Sequence, residues 1–405
     1  MLTSIQSISL EHMPVVPGSF DTLLIDLGTT TVALCLIDRK EGQLRETKLI
    51  SNPQKIFGND VISRIRSAMR GRDKELQHQI CHAIETETLL LCEKNHQSLS
   101  DIKDCYIGGN TTMIHLLMGY DCSPLASSPF SVRQCSPKPF LYNHCNVHII
   151  PWISAFVGGD ITAGIAACNL EFGTNLLMDL GTNGELILHH NGTWLATSTA
   201  AGPAFEGSGI SCGCSAIPGA ICNIELRPLG AKLTTIDNKL PVGICGSGIL
   251  SLCSQLLQKK YITCDGILTK RFPKEGIVLG KTTQGKILTF TPEDFRQIQP
   301  AIAAVAAGVE TLCREAGIHP SSLEQIYLGG GFGFYLDIPS CQRLGMFSSI
   351  QKQAILPMGN TCLQGLYIHA TKELSSVPLP SVTHIELADN SYFKERFIHH
   401  MTYPA

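Results

Sequence analysis

The chain has 405 residues, 44% hydrophobic and 16% charged, with a formal net charge of −3 and 17 cysteines. That length allows two or three packed cores, while the sparse charge excludes long disordered tails and leaves no basic, aromatic-studded run to hold nucleic acid. The N-terminus has no basic region ahead of an apolar one, no apolar stretch reaches the ~20 residues of a membrane span, and the odd, scattered cysteines fit reduced thiols, so a cytoplasmic protein with no membrane partner is expected.

In chain order, Asp21 to Asp38 reads as an apolar strand, a Gly/Thr turn and a β-branched strand. Apolar spacings of three and four between Val61 and Glu93 predict helices broken at Gly71. A strand at Asp104 to Ile107 precedes a helix beginning near Asn110. Four prolines between Pro124 and Pro139 predict a loop, and Ile161 to Leu170 a small-residue helix. The opening pattern then returns at Asn175 to Leu188. Helices follow at Gly246 to Lys259 and, opened by Thr-Pro-Glu-Asp, from Thr291 through Gly317. The rest reads as a strand and glycine turn (Gln325 to Gly333), a small-residue helix (Asn360 to Thr371), a short strand (Thr383 to Leu387) and an amphipathic helix (Phe393 to Met401).

The first turn, Asp26-Leu27-Gly28-Thr29-Thr30-Thr31, has the composition that holds phosphates. Glycine lets the backbone approach, amide N–H and Thr hydroxyl groups donate to oxygen, and the carboxylate can place a hydrated Mg²⁺. One such turn reads equally well as an ordinary hairpin with glycine at positive φ. About 150 residues later it recurs as Asp179-Leu180-Gly181-Thr182-Asn183-Gly184-Glu185, which points to duplication of one supersecondary unit. Two such turns facing each other across a cleft would clasp one triphosphate. Leu328-Gly329-Gly330-Gly331-Phe332-Gly333 offers bare backbone for a flat ring, as adenine requires, although a glycine run alone is often a simple turn.

The order of these segments, with the helix starts Gly158-Gly159-Asp160 and Gly359-Asn360-Thr361, resembles the actin, heat-shock and sugar-kinase (ASKHA) superfamily. Within it the chain is similar to the corrinoid-activating ATPases, reductive activators of corrinoid methyltransferase systems. The carrying stretches are residues 106–119, 151–165, 179–188, 200–213, 244–252, 294–299 and 328–337, and the likeness runs from about Asp21 to the end. The resemblance implies an α/β, duplicated actin-like (ribonuclease H-like) ATPase fold with two domains around a nucleotide cleft. It divides the chain into an extension (1–20), a first domain (21–170), a second domain with the adenosine motif (171–358), and a C-terminal helix and tail returning to the first domain (359–405).

It also implies ATP and Mg²⁺ as ligands, with Asp26 and Asp179 positioning the metal through water. Gly28, Thr29, Thr30, Thr31, Gly181, Thr182, Asn183 and Gly184 would contact phosphate, and Gly329, Gly330, Gly331 and Gly333 would line adenosine. Asp160 and Glu206 are the candidates for orienting the attacking water. Small residues Gly164, Ala166 and Ala167 would let the connecting helices approach closely.

The implied activity is ATP-driven return of Co(II) corrinoid to Co(I). Such activators typically carry an N-terminal [2Fe–2S] ferredoxin-like domain, whereas here about twenty residues without cysteine precede the first turn, so a separate ferredoxin-like reductant is expected. No Cys-x-x-Cys pair occurs, which argues against an iron–sulfur cluster in this chain and leaves Cys212 and Cys214 as the sole candidates. The His189-His190 and His399-His400 pairs read as exposed ends of elements. The partner is expected to be a corrinoid protein or corrinoid methyltransferase, and the resemblance admits a homodimer. The competing readings are a small-molecule kinase, an activator of a 2-hydroxyacyl-CoA dehydratase type enzyme, and a non-catalytic nucleotide-holding protein.

Overall fold

The computed structural model describes residues 13–130, 132, 145–181, 183–227, 230–330, 336–347, 350–351, 354–372 and 380–404, which group into two compact units. In the first, β1 (Thr22–Leu27), β2 (Thr31–Asp38) and β3 (Gln43–Ser51) form an antiparallel meander. After α1 (Val61–Ser67), a wound turn containing Gly71 and α2 (Asp73–Lys94), β4 (Asp104–Gly109) runs parallel to β1. Next come α3 (Thr111–Met118), β5 (Asn146–Ile149) parallel to β4, and α4 (Gly159–Ala167). The sheet order is β3-β2-β1-β4-β5. Successive β1 side chains face opposite sides. Leu23, Ile25 and Leu27 join Ile65, Leu76, Ile80 and Met113 under α1 to α3, whereas Leu24 joins Ala163 of α4 on the other face.

The second unit repeats this plan with β6 (Asn175–Leu180), β7 (Gly184–His190) and β8 (Thr193–Thr199) as the meander. An insertion then supplies β9 (Ala220–Arg227), β10 (Gly230–Thr235), β11 (Gly243–Ile244), α5 (Gly246–Gln258), the β12 (Ile277–Lys281) and β13 (Ile287–Phe290) hairpin, and α6 (Pro292–Glu315). β14 (Gln325–Gly329) lies parallel to β6 and, after α7 (Ile338–Arg343), β15 (Ile355–Gly359) lies parallel to β14. Five strands of this six-stranded sheet, β15-β14-β6-β7-β8, repeat the order of the first. Met178, Leu186 and Leu188 bury against Ile302 and Val305 of α6 and Ile249 of α5, each such side chain contributing about 1.5–3 kcal/mol. A capping box opens α6: Asp294 N donates to Thr291 Oγ1 at 3.3 Å and Thr291 N to Asp294 Oδ2 at 2.7 Å.

From residue 360 the chain belongs to the first unit, where α8 (Thr361–Thr371) packs on α4 and seats Cys362, Leu363 and Leu366 against Leu24 and Cys35. From Ile385 it belongs to the second unit, where α9 (Ser391–His400) lies on α6. There Glu310 accepts from Arg396 Nε at 2.5 Å, and His400 Nε2 lies 3.0 Å from its other oxygen. Among the described residues, no helix is long and apolar enough to cross a membrane. The tail strand covers Val382–His384 rather than Thr383 to Leu387. His189 is not exposed: it is 6% accessible, its Nδ1 lies 2.9 Å from Gly173 O, and its ring packs on Trp194. The sequence pattern could not show that the end of β7 is covered by the segment before β6.

Candidate functional site: two acidic glycine turns

Asp26 stands near the end of β1, opposite Ala33 of β2 and Gly108 of β4. Asp179 occupies the equivalent place in β6, opposite Glu185 of β7 and Gly329 of β14. The two carboxylates are therefore related by topology as well as by motif, each at the end of a strand with a glycine on the neighbouring parallel strand.

In the first unit, Gly28 N donates to Thr31 O at 3.0 Å and closes the turn around Thr29 and Thr30. Thr29 is 8% exposed. Asn52 braces the turn from behind, its backbone N–H donating to Thr30 O at 2.9 Å and its Nδ2 to Gly28 O at 2.9 Å. The brace continues inward. Gln54 N donates to Asn52 Oδ1 at 3.0 Å and Gln54 Nε2 to Leu76 O at 3.0 Å. Arg64, 1% exposed, donates from Nε to Gly58 O at 2.9 Å and places Nη1 3.1 Å from Met113 Sδ. Burial lowers its pKa to about 10 against the opposing charge of Asp60. Asn52, Gln54 and Arg64 escaped sequence reading, although a charged residue on the core-facing stripe Val61, Arg64, Ile65, Ala68 was a legible sign.

Burial raises the pKa of Asp26, and hydrogen bonds from Asn360 and Cys362 oppose that rise without cancelling it. Asp160 lies in the first turn of α4, where the helix dipole favours a carboxylate, and its Oδ1 accepts from Ile161 N at 2.9 Å. Gly158 ahead of it is hemmed in: a Cβ there would meet Asp160 Oδ1 at 2.5 Å and Gly109 O at 2.7 Å. The start of α4 is thus pressed onto the end of β4, next to the strand that carries Asp26.

In the second unit, Gly181 N donates to Asn183 O at 3.1 Å, and Gly184 opens β7 with its carbonyl accepting from Thr199 Oγ1 at 3.2 Å. Gly330 has φ +81°, and a Cβ on it would lie 2.8 Å from Asp179 Oδ1. Glu206, at the end of the short turn Pro203–Glu206, brings Oε1 to 3.4 Å from the Cβ position of Gly181. Asp179, Gly181, Glu206 and Gly330 are therefore gathered at one place. Thr182, Gly331 and Gly333 lie outside the described residues. Asp294, not singled out as a site residue, anchors the loop after Glu206 by accepting from Ser211 N at 2.7 Å and Ser211 Oγ at 3.0 Å. Carboxylates at strand ends, walled by glycine and next to backbone N–H and hydroxyl donors, suit a hydrated divalent cation and phosphate oxygens.

The two candidate cluster thiols sit in different apolar surroundings. Cys212 is in the main core of the second unit, while Cys214 packs with Ala220, Ile236 and Cys245. Burial pushes both thiols up to about 12, the protonated state of a small hydrophobe. Among the described residues no group of three or more His, Cys, Asp or Glu is placed to hold a metal ion.

Comparison with known proteins accounts for both units. Residues 22–172 match the RACo middle region, and residues 173–405 match the C-terminal domain of RACo, the ASKHA domain. The chain is 31% identical over 412 residues to the corrinoid activation enzyme RamQ of Eubacterium limosum, covering 93% of this chain and 69% of that protein. It is 26% identical over 383 residues to a [Co(II) methylated amine-specific corrinoid protein] reductase of Methanosarcina barkeri, covering 84% and 68%. A solved structure, a reductive activator for corrinoid, iron–sulfur protein, superposes with a TM-score of 0.83 at 28% identity, over 96% of this chain and 67% of that one. With the ASKHA-domain match spanning more than half of its length and a 31% identical relative covered by more than two thirds, the chain belongs to the RACo family.

Proposed function

We propose that this chain is a reductive activator of a corrinoid protein, using ATP to drive return of Co(II) corrinoid to nucleophilic Co(I). The observation that carries the ATP part is the repeated placement of Asp26 and Asp179 beside glycine on the neighbouring strand. The corrinoid part rests on the activities named for the relatives.

Asp26 and Asp179 would hold a hydrated Mg²⁺ through its water, and the ion would supply positive charge against the phosphates. Backbone N–H groups and hydroxyls of Gly28 to Thr31 and of Gly181, Asn183 and Gly184 would donate to phosphate oxygens, and Gly329 and Gly330 would lie against adenosine. Asp160 and Glu206 orient the water that attacks the γ-phosphorus, since phosphoryl transfer depends on positioning and charge neutralisation more than on covalent chemistry. One ATP and one water give ADP and phosphate, while the single electron that reduces Co(II) comes from a separate ferredoxin-like donor. The coupling is linkage: nucleotide can shift the cobalt equilibrium only as far as it favours the state of this chain that binds the corrinoid protein.

The test is anaerobic ATP turnover by the purified chain with and without a Co(II) corrinoid protein and a one-electron reductant, with Co(I) followed by absorbance. Turnover stimulated by the corrinoid protein, with Co(I) appearing only when ATP is present, is expected. Stimulation by a sugar or carboxylate in its place would sink the reading and make the chain a kinase.

A further inference from the structure

We propose that Asn360 is a positioning residue for Asp26 and, through that carboxylate, for the hydrated Mg²⁺ of bound nucleotide. The inference rests on the reading of the first turn given above. Asn360 stands 334 residues from Asp26, and its side chain is held at both ends. Oδ1 accepts from Leu363 N at 2.7 Å and caps α8. Nδ2 donates to Asp26 Oδ2 at 2.6 Å. The amide orientation follows from chemistry, because one neighbour is a backbone donor and the other a carboxylate acceptor. A side chain tied at both atoms keeps one rotamer, so the start of α8 sets the plane of the Asp26 carboxylate.

The rest of the surround leaves little slack. The Cys362 thiol also hydrogen-bonds Asp26. Its Sγ lies 2.6 Å from where a Cβ on Gly108 would be, and Gly108 is the residue paired with Asp26 across β1 and β4. α8 packs closely on α4 at this point, where Gly365 abuts the backbone of Ala163 with no room for a side chain. A carboxylate that works through water gains from such restraint, since the placement of the water follows its plane.

Asn360→Ser separates the two tasks: serine is a good N-cap, but too short to reach Asp26. The experiment measures ADP binding by calorimetry on the full chain, in MgCl₂ and in EDTA, together with thermal melting, for N360S, D26N and the double variant. Loss of a hydrogen bond to a charged group should reduce the gain in ADP affinity conferred by Mg²⁺ by about tenfold. Affinity in EDTA should change by less than about twofold, with melting lowered by no more than a few degrees. D26N should abolish the Mg²⁺ gain, and N360S should add nothing to it. If N360S weakens binding equally in both media, leaves the Mg²⁺ gain intact, or compounds the D26N loss, the positioning role is overturned while the reading of the first turn stands. If D26N keeps the parent's Mg²⁺ gain, that reading falls, and the role of Asn360 with it.

Discussion

Gly330 carries two constraints at one residue. Its φ of +81° is strained for any L side chain, and the first atom of such a side chain would lie 2.8 Å from Asp179 Oδ1. Gly330→Ala is therefore expected to cost about 1–3 kcal/mol in stability, and to weaken ADP binding in the presence of Mg²⁺ because Asp179 must turn aside. Urea unfolding and calorimetric titration of the variant check both effects, and parental behaviour in both would show that this strand end has slack. The first turn is supported differently. Asn52, Gln54 and Arg64 form a buried polar brace behind Gly28 and Thr30, and these residues announce no motif. Their task is to satisfy backbone carbonyls and each other, so it becomes visible once the chain is folded.

Among the elements, α9 joins α6 through part-buried aromatic residues and through ion pairs at Glu310, and none of its residues is fully buried. Burial opposes ionisation of Glu310, but hydrogen bonds and charge from His400 and Arg396 outweigh it and bring the pKa from 4.5 to about 2. A folded-state pKa below the unfolded one stabilises above the unfolded value, and that contribution is lost as pH falls through the folded value. Glu310→Gln should thus lower stability by about 1–2 kcal/mol at pH 7, a figure discounted for partial exposure. The difference from the parent chain should shrink between pH 4.5 and 2. Urea midpoints across that range decide it, and a gap that stays constant would remove the ionic role. The start of α6 was legible from Thr-Pro-Glu-Asp alone, because a capping box is a local device. The hold of its Asp294 on Ser211 was not, since it joins residues 83 apart.

For the whole molecule, the decisive feature is that the first unit is discontinuous. Leu24 and Cys35 lie on a sheet face covered in part by Cys362, Leu363 and Leu366 of α8. A fragment of residues 13–169 would uncover part of that face, losing roughly 3–6 kcal/mol from the two leucines, a large part of the ~5–15 kcal/mol that holds a domain together. Such a fragment is expected to unfold without a cooperative transition, and joining residues 360–384 to it through a flexible linker is expected to restore one. Circular dichroism in urea reads the outcome, and a cooperative transition in the bare fragment would show that α8 is dispensable. The same duplication explains why the ASKHA fold is legible in the sequence: a strand, an Asp-Leu-Gly-Thr turn and a second strand occur twice, and periodicity and turn chemistry are short-range properties.

The sequence by itself determined the two acidic turns, the meander that follows each, most helix limits to within a few residues, and the likeness to corrinoid-activating ATPases. These rest on spacing, propensity and motif order, which the chain carries locally. Tertiary structure alone decided that Asp26 and Asp179 share one register position, that Gly330 and Glu206 come to the second turn, that Asn360 grips Asp26, and that Asn52 and Arg64 brace the first turn. Each of these depends on contacts between residues far apart in sequence, which no local pattern encodes.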